Sequence, residues 1–533
     1  MRSRILTSVR RRAPPWTITT PANRPFEETM KSISVSRNVL FGFLSWFLPL
    51  GFTFAFTPLI VRGLGAEGYG LYALVMGFIS YSFSFSIGRA ITRYVSAYHA
   101  SRQTERIGEV LSSTLILNLC VSFLSAGALA LLTGWLVTRV LNIPLGLQPQ
   151  ARLAFYLASV GLIFTMLSQV LNAVPQAVQR FDVYSLIATS AGITTIAGNA
   201  LLVWMDFGAT ALIAWNVAAT ALSCVAYLVA SRRLLPEARL TLQIKRDVLV
   251  GIIKFSSAVT AYQVMANLLL LFERSWLTRS LGTASVTYYV VPITIAVYIH
   301  AFISSLTLMI FPMVSEAGAR QDSARLQAIY TRAFKYISMM VVFLSLTLAV
   351  GSRQILSNWL GADFAQNSSG VLAIQAAVFG LMAMLIVPWQ IADGLGFPGS
   401  NALLGLWWLV ATVLLALFFT PRLGLMGMAY SRLIPMLITP VYILYVERRV
   451  FGRNLWQFWR RVCLSLFVSG GLTAVIEVLL FRHLPEGWLW LVINTGVGAL
   501  LFWSLLLITR FMDTDEQQWL RRFFSRAVAI THG

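Results

Sequence analysis

Apolar runs of about 20 residues or more, parted by short polar or Gly/Pro-containing breaks, recur along the whole chain. At 1.5 Å of rise per residue, each run can cross a hydrocarbon layer about 30 Å thick. Where no water satisfies backbone polar groups, such a run has to be helical. The pattern predicts helices over 38–61, 71–94, 110–133, 153–177, 184–205, 210–230, 249–272, 287–312, 333–352, 370–392, 401–420, 425–446, 462–481 and 487–509. Within the long apolar stretch 370–446, the dividing breaks are Gly396-Phe397-Pro398-Gly399 and Pro421-Arg422-Leu423-Gly424. The fold class is therefore an all-α polytopic membrane protein of about fourteen transmembrane helices.

Composition strengthens this: 57% of residues are hydrophobic and 11% charged, against about 45–50% and 25% in soluble domains. The net charge of +21 would suggest nucleic acid in a soluble protein. Here it is a topology signal, because 31 of the 41 Lys and Arg fall on the termini and the alternate loops that share their side, and 8 on the opposite loops. Both termini are thus expected in the cytoplasm of a cell whose plasma (inner) membrane the chain spans, with membrane lipids as its surroundings and no nucleic acid as partner. Cys120, Cys224 and Cys463 all lie in apolar runs and lack metal or redox spacing, so they read as small hydrophobes. The first 29 residues are basic, with no apolar signal core; Met30 opens a short basic lead into the first helix and is read as the true start.

An internal repeat organises the helices. RGLGAEGYGLYAL from Arg62 resembles RSLGTASVTYYVV from Arg279, an offset of 217, and Asp206-Phe207-Gly208-Ala209 aligns with Arg422-Leu423-Gly424-Leu425 at 216. Two six-helix lobes with two accessory helices follow, a construction typical of transporters. The expected boundaries are a basic tail 1–37, an N-lobe 38–230, a linker 231–248, a C-lobe 249–446, a basic loop 447–461, accessory helices 462–509 and a tail 510–533.

The residues that carry this repeat also carry a family resemblance. FTPLIVRGLGAEGYGLYALV, from Phe56 to Val75, with QAVQRF at 176–181 and PRLGLMG at 421–427, resembles the O-antigen (oligosaccharide) flippase type of polysaccharide transporter, in the multidrug/oligosaccharidyl-lipid/polysaccharide exporter superfamily. Over roughly 30–450 the likeness implies a flippase that moves an undecaprenyl-pyrophosphate-linked oligosaccharide from the inner to the outer leaflet by alternating access, for cell-surface polysaccharide such as lipopolysaccharide O-antigen or exopolysaccharide. A polysaccharide polymerase machinery is the implied protein partner. No catalytic residue, cofactor or metal is implied.

A pyrophosphate crossing a membrane needs cations facing a watered cavity. Arg432, about two turns into helix 12, is the leading candidate, against a structural hydrogen bond or snorkelling to the interface. Lys254 on helix 7, and Arg89 and Arg93 on one face of helix 2, are candidates for meeting the pyrophosphate or for anchoring in anionic lipid. Gln169 and Asn172, with Gln176 on the same face of helix 4, and Asn267, four residues from Gln263 on helix 7, can bind sugar hydroxyls or bond between helices. Glu273, placed beside Arg274 at the end of helix 7, is the candidate for ion coupling, against a local ion pair. His300 reads as a packing residue, Asp393 as a cap of the turn that follows it, and Glu477 lies outside the repeated core.

Three other functions compete. A multidrug/cation antiporter of the same superfamily wants acids at its helix centres, and these helices carry almost none. A membrane polymerase or ligase wants a furnished outer loop, and the loops are short. The lipid II flippase branch also has fourteen helices, but deep arginines are not concentrated here in helices 1 and 2. No Walker-type phosphate loop is present, so an ion gradient or the membrane potential is the expected energy source.

Overall fold

The structure is a computed structural model that describes residues 32–81, 87–236, 245–307, 310–483, 485–509 and 511. The proposed start at Met30, most of both tails and residues 237–244 of the expected linker lie outside the described residues, as do the side chains of Arg89 and Lys254.

Eleven described stretches are long and apolar enough to cross a membrane. Two of them each hold two helices, because a glycine in the left-handed region turns the chain at Gly65 (φ 67°) and Gly424 (φ 60°). The helix that opens the second lobe, Arg246–Leu281, completes a set of fourteen long helices among the described residues. In the N-lobe these are α1 (32–64), α2 (66–81, continued by Ile87–Ala100), α3 (Thr104–Trp135), α4 (Gln148–Leu171), α5 (Phe181–Trp204) and α6 (Ala209–Leu234). In the C-lobe they are α7 (Arg246–Leu281), α8 (Thr283–Leu306), α9 (Ser323–Val350), α10 (Ala362–Met384), α11 (399–423) and α12 (425–436, continued by Thr439–Phe451). The accessory pair is α13 (Trp456–His483) and α14 (Trp488–Ile508), packed on each other and both on α9, where Phe343 meets Phe502 of α14. The chain is thus a multi-pass membrane protein, and large apolar side chains such as Leu131 and Phe467 point outward as a lipid-facing surface requires.

Charge marked the expected helix ends, and the structure moves several of them. Glu273 and Arg274, placed by sequence at the end of helix 7, lie about two turns inside α7, which runs on to Leu281. The reversal falls instead at Gly282, whose φ of 84° and ψ of 169° nearly repeat the 67° and 172° of Gly65, 217 residues earlier. Of the four glycines in the first repeat segment, only Gly65 makes the turn. Gly70 is helical and serves close approach, since a Cβ there would stand 1.9 Å from the Thr283 carbonyl oxygen. The expected outer loop 353–369 holds a short helix, Ser352–Leu360, and the first turns of α10. Its polar residues disguised a segment whose Phe364, Ala365 and Ser368 are buried.

The end of the bundle away from the linker is closed between the lobes. There the α1–α2 corner packs on the α7–α8 corner, with Thr287 Oγ1 donating to the Ala66 carbonyl at 2.6 Å. Arg279 Nη1 donates to the carbonyls of Arg139 (2.6 Å) and Val140 (3.0 Å). Trp359 Nε1 donates to the Phe54 carbonyl at 2.7 Å while its ring stacks on Phe54. In each case a C-lobe side chain donates to an N-lobe backbone carbonyl.

Candidate functional site

The second lobe encloses a cavity of about 300 Å³ between α7, α8, α10, α11 and α12, with Tyr81 of α2 reaching in from the other lobe. Its walls are mostly apolar, so each charged group on them is costly unless paired. Arg432 lies two turns beyond the Gly424 reversal, on the face of α12 that α7 covers, and is 6% exposed. Its Nη1 donates to Oε2 of Glu273 at 2.9 Å, and Glu273 is 1% exposed. The guanidinium also stands over the Phe379 ring of α10, 5.1 Å from its centroid.

Arg274 follows Glu273 on α7 and lines the same cavity. It turns toward the N-lobe, its Cζ 4.8 Å above the Tyr81 ring and its stem against Gly77, where a Cβ would meet Cδ at 2.8 Å. Tyr289, Thr294, His300 and Trp408 supply the rest of the polar wall. Four buried atoms of this wall make no hydrogen bond within the protein: Arg432 Nε, Arg274 Nε, Glu273 Oε1 and Trp408 Nε1. Two guanidiniums and one carboxylate leave the site with a net charge of +1, in a medium where Coulombic attraction is weakly screened. Donors outnumber acceptors, and the arrangement suits an anion that accepts several hydrogen bonds. Among the described residues no group of three or more His, Cys, Asp or Glu could hold a metal ion.

The structure brings together two of the residues picked out by sequence, Arg432 and Glu273, and as partners of each other. Asn267 is buried lower on α7, accepts from Gln263 Nε2 at 3.1 Å and is not part of the cavity wall. Gln169 and Asn172 lie half-buried in the N-lobe, where the Gln169 carbonyl faces Gly88 and the Asn172 carbonyl accepts from Gln176 Nε2. Arg93 is exposed on α2 at the linker end. Asp393 accepts from Asn401 Nδ2 at 2.8 Å across the turn it was expected to cap. Arg274, Tyr81, His300 and Trp408 were not assigned to a site from the sequence. An arginine adjoining the candidate acid was the available signal for the first, and the ring of Tyr81 is brought in only by packing of the lobes.

The sequence profile of a family described as polysaccharide biosynthesis protein matches residues 59–369. A Shigella flexneri protein provisionally named an O-antigen transporter is 22% identical over 427 residues, covering 78% of this chain and 99% of that one. Among solved structures, a lipid II flippase, MurJ, in an inward closed conformation aligns with a TM-score of 0.65 at 13% identity, over 88% of this chain and 98% of the other. An inward-facing multidrug resistance transporter of the MATE family and MOP superfamily aligns with a TM-score of 0.64 at 16% identity, over 78% and 98%. At these identities the two structures show a shared fold.

Proposed function

Since the chain belongs to the polysaccharide biosynthesis protein family, we propose that it is a flippase carrying an undecaprenyl-pyrophosphate-linked oligosaccharide from the inner to the outer leaflet. The observation that carries this is the buried, net positive cavity built on Arg432, Glu273 and Arg274. A guanidinium held inside a membrane helix costs about 2.5–3.5 kcal/mol on insertion scales. A transporter for a lipid-linked anion has a use for that cost. The similarity to an O-antigen transporter and the shared fold with a lipid II flippase support the same substrate class.

A volume of about 300 Å³ lies at the lower end of the range for ligand pockets, roughly 300–1,000 Å³. It accommodates the pyrophosphate while the glycan and the polyprenyl tail lie outside it. Arg432 and Arg274 compensate the phosphate charge; Glu273 holds Arg432 in place and neutralises it until substrate arrives. Lys254, Arg89 and Arg93, at the linker end, serve the approach of the pyrophosphate, and Gln169, Asn172 and Asn267 the sugar. The positive-inside distribution of Lys and Arg supports an inner-membrane protein with the linker end and both termini in the cytoplasm. With the interior negative, the membrane potential favours outward movement of negative charge by about 2.3 kcal/mol per charge per 100 mV.

The testing experiment is binding of undecaprenyl pyrophosphate to the purified protein in nanodiscs, for the wild type and Arg432→Ala. Saturable binding that weakens at least tenfold in the variant supports the assignment. Equal binding by both removes Arg432 from the site, and selective uptake of organic cations instead favours an antiporter working through Glu273.

A further inference from the structure

The Arg432–Glu273 pair lies wholly within the C-lobe, and so cannot by itself report its occupancy to the other half of the molecule. Arg274 is placed to do so. Its side chain lines the cavity and at the same time crosses the seam between lobes, lying in a slot on α2 formed by the missing side chain of Gly77 and the face of Tyr81. Gly77 and Tyr81 are four residues apart and share one helix face. A Cβ on Gly77 would come within 2.8 Å of Arg274 Cδ and 3.2 Å of Nε, so the slot fits this side chain because the position is glycine. The guanidinium holds its place weakly. Nη1 reaches only the Leu270 carbonyl of its own helix, at 3.4 Å, and Nε has no hydrogen-bond partner. Its main contact outside α7 is the Tyr81 ring, a cation–π contact that a doubly charged anion nearby outcompetes.

We propose that Arg274 is the residue that couples anion binding in the cavity to separation of the lobes: an anion on Arg432 draws the Arg274 guanidinium off Tyr81 and frees α2 from α7. The proposal rests on the cavity being the anion site. Arg274 is then a positioning residue for the lobes as well as a ligand, and Gly77 and Tyr81 are its seat on the opposite half. The contact has a single charge and no hydrogen bond across the seam, so it can break and re-form in each cycle without a large barrier. The four hydrogen bonds that close the far end, from Arg279, Thr287 and Trp359, all go to backbone carbonyls, and none of them senses the cavity.

The test uses full-length protein in nanodiscs with Cys120, Cys224 and Cys463 replaced by serine and spin labels at Leu145 and Leu423, exposed residues at the far end of the two lobes. Inorganic pyrophosphate is the probe, with binding followed by calorimetry and the inter-label distance by pulsed dipolar spectroscopy. In wild type, pyrophosphate is expected to bind and to shift the distance distribution. Gly77→Leu and Tyr81→Leu are expected to bind within about tenfold of wild type yet show no pyrophosphate-dependent shift. Arg274→Gln is expected to bind more weakly and, at saturating pyrophosphate, to show no shift either, whereas Tyr81→Phe, which keeps the ring, retains it. A shift of wild-type size in both Arg274→Gln and Tyr81→Leu overturns the coupling role and leaves the cavity assignment standing. Binding to wild type without any shift does the same. Absence of pyrophosphate binding to the wild type overturns the cavity assignment, and the coupling with it.

Discussion

The Arg432–Glu273 pair gives the most quantitative handle on the site. Both side chains are almost wholly buried and separated by 2.9 Å. Substituting Arg432→Met leaves a carboxylate in an apolar wall with one oxygen already lacking a partner. Breaking a buried pair from one side costs about 3–5 kcal/mol, and the adjoining cavity, which water can enter, argues for the lower end, about 3 kcal/mol. Glu273→Met, stranding the arginine, is expected to cost a similar amount. Replacing both together removes the desolvation cost of two ions, a change that is often neutral or stabilising by about 1–4 kcal/mol. The double variant should therefore unfold later than either single variant, and near wild type. Membrane insertion does not confound this, because loss of an intramembrane arginine eases insertion by about 2.5–3.5 kcal/mol. The assay is a double-mutant cycle on the SDS unfolding midpoint of protein reconstituted in bicelles, with glycolipid translocation measured in parallel and expected to be lost in all three variants. A double variant as unstable as the sum of the two single effects refutes the reasoning, because the two residues would then act independently.

Five further outcomes follow from other parts of the molecule. Glu447, fully buried, accepts from Tyr330 Oη (2.8 Å), the Leu455 amide (3.1 Å) and Trp459 Nε1. Glu447→Ala strands its donors and should loosen the 452–455 turn and the docking of α13 by about 1–3 kcal/mol, seen as new trypsin cleavage at Arg448, Arg449 and Arg453. Gly70→Val forces the corner of α2 off Thr283 and should reduce translocation at least tenfold in a folded, inserted protein. At Gly65 the left-handed backbone makes Gly65→Ala cost about 1–2 kcal/mol by unfolding midpoint with a smaller effect on transport. Gly498 packs against the buried Glu477 carboxyl, where a Cβ would lie 1.8 Å from Oε1. Gly498→Ala should cost about 1–3 kcal/mol by the same unfolding assay, and Glu477→Ala added to it should restore most of the loss. Gln169→Ala and Asn172→Ala, at residues outside the cavity wall, are expected to lower transport less than tenfold, against near-complete loss for Arg432→Ala.

The helix number was legible because membrane thickness sets a length that apolar runs either reach or miss, and no tertiary information is needed to count them. Boundaries were less so wherever charge was taken as the edge of the membrane. Glu273 and Arg274 read as a helix end because two adjacent charges are expensive in lipid. They sit inside α7 because each finds company there: Glu273 with Arg432, 159 residues away, and Arg274 with Tyr81 of the other lobe. The true corner, Gly282, was present in the repeat as the counterpart of Gly65, and the repeat was the better guide. Arg432 stood out as a lone cation in an apolar helix. Tyr81 and Trp408 could not, since aromatic residues make up 13% of the chain and only packing selects these two. The polar faces of α4 and α7 illustrate the same limit, because a spacing of three and four shows that Gln169 and Asn172 share a face but not which helix that face meets.

The most direct single measurement is leaflet translocation of an undecaprenyl-pyrophosphate-linked glycan in sealed proteoliposomes, comparing wild type with Arg432→Ala at matched protein levels. Glycan delivered to the opposite leaflet by the wild type and lost in the variant is the expected result. A wild type that moves no lipid-linked glycan, or an Arg432→Ala variant that moves it as fast as the wild type, contradicts a flippase built around this buried cationic site.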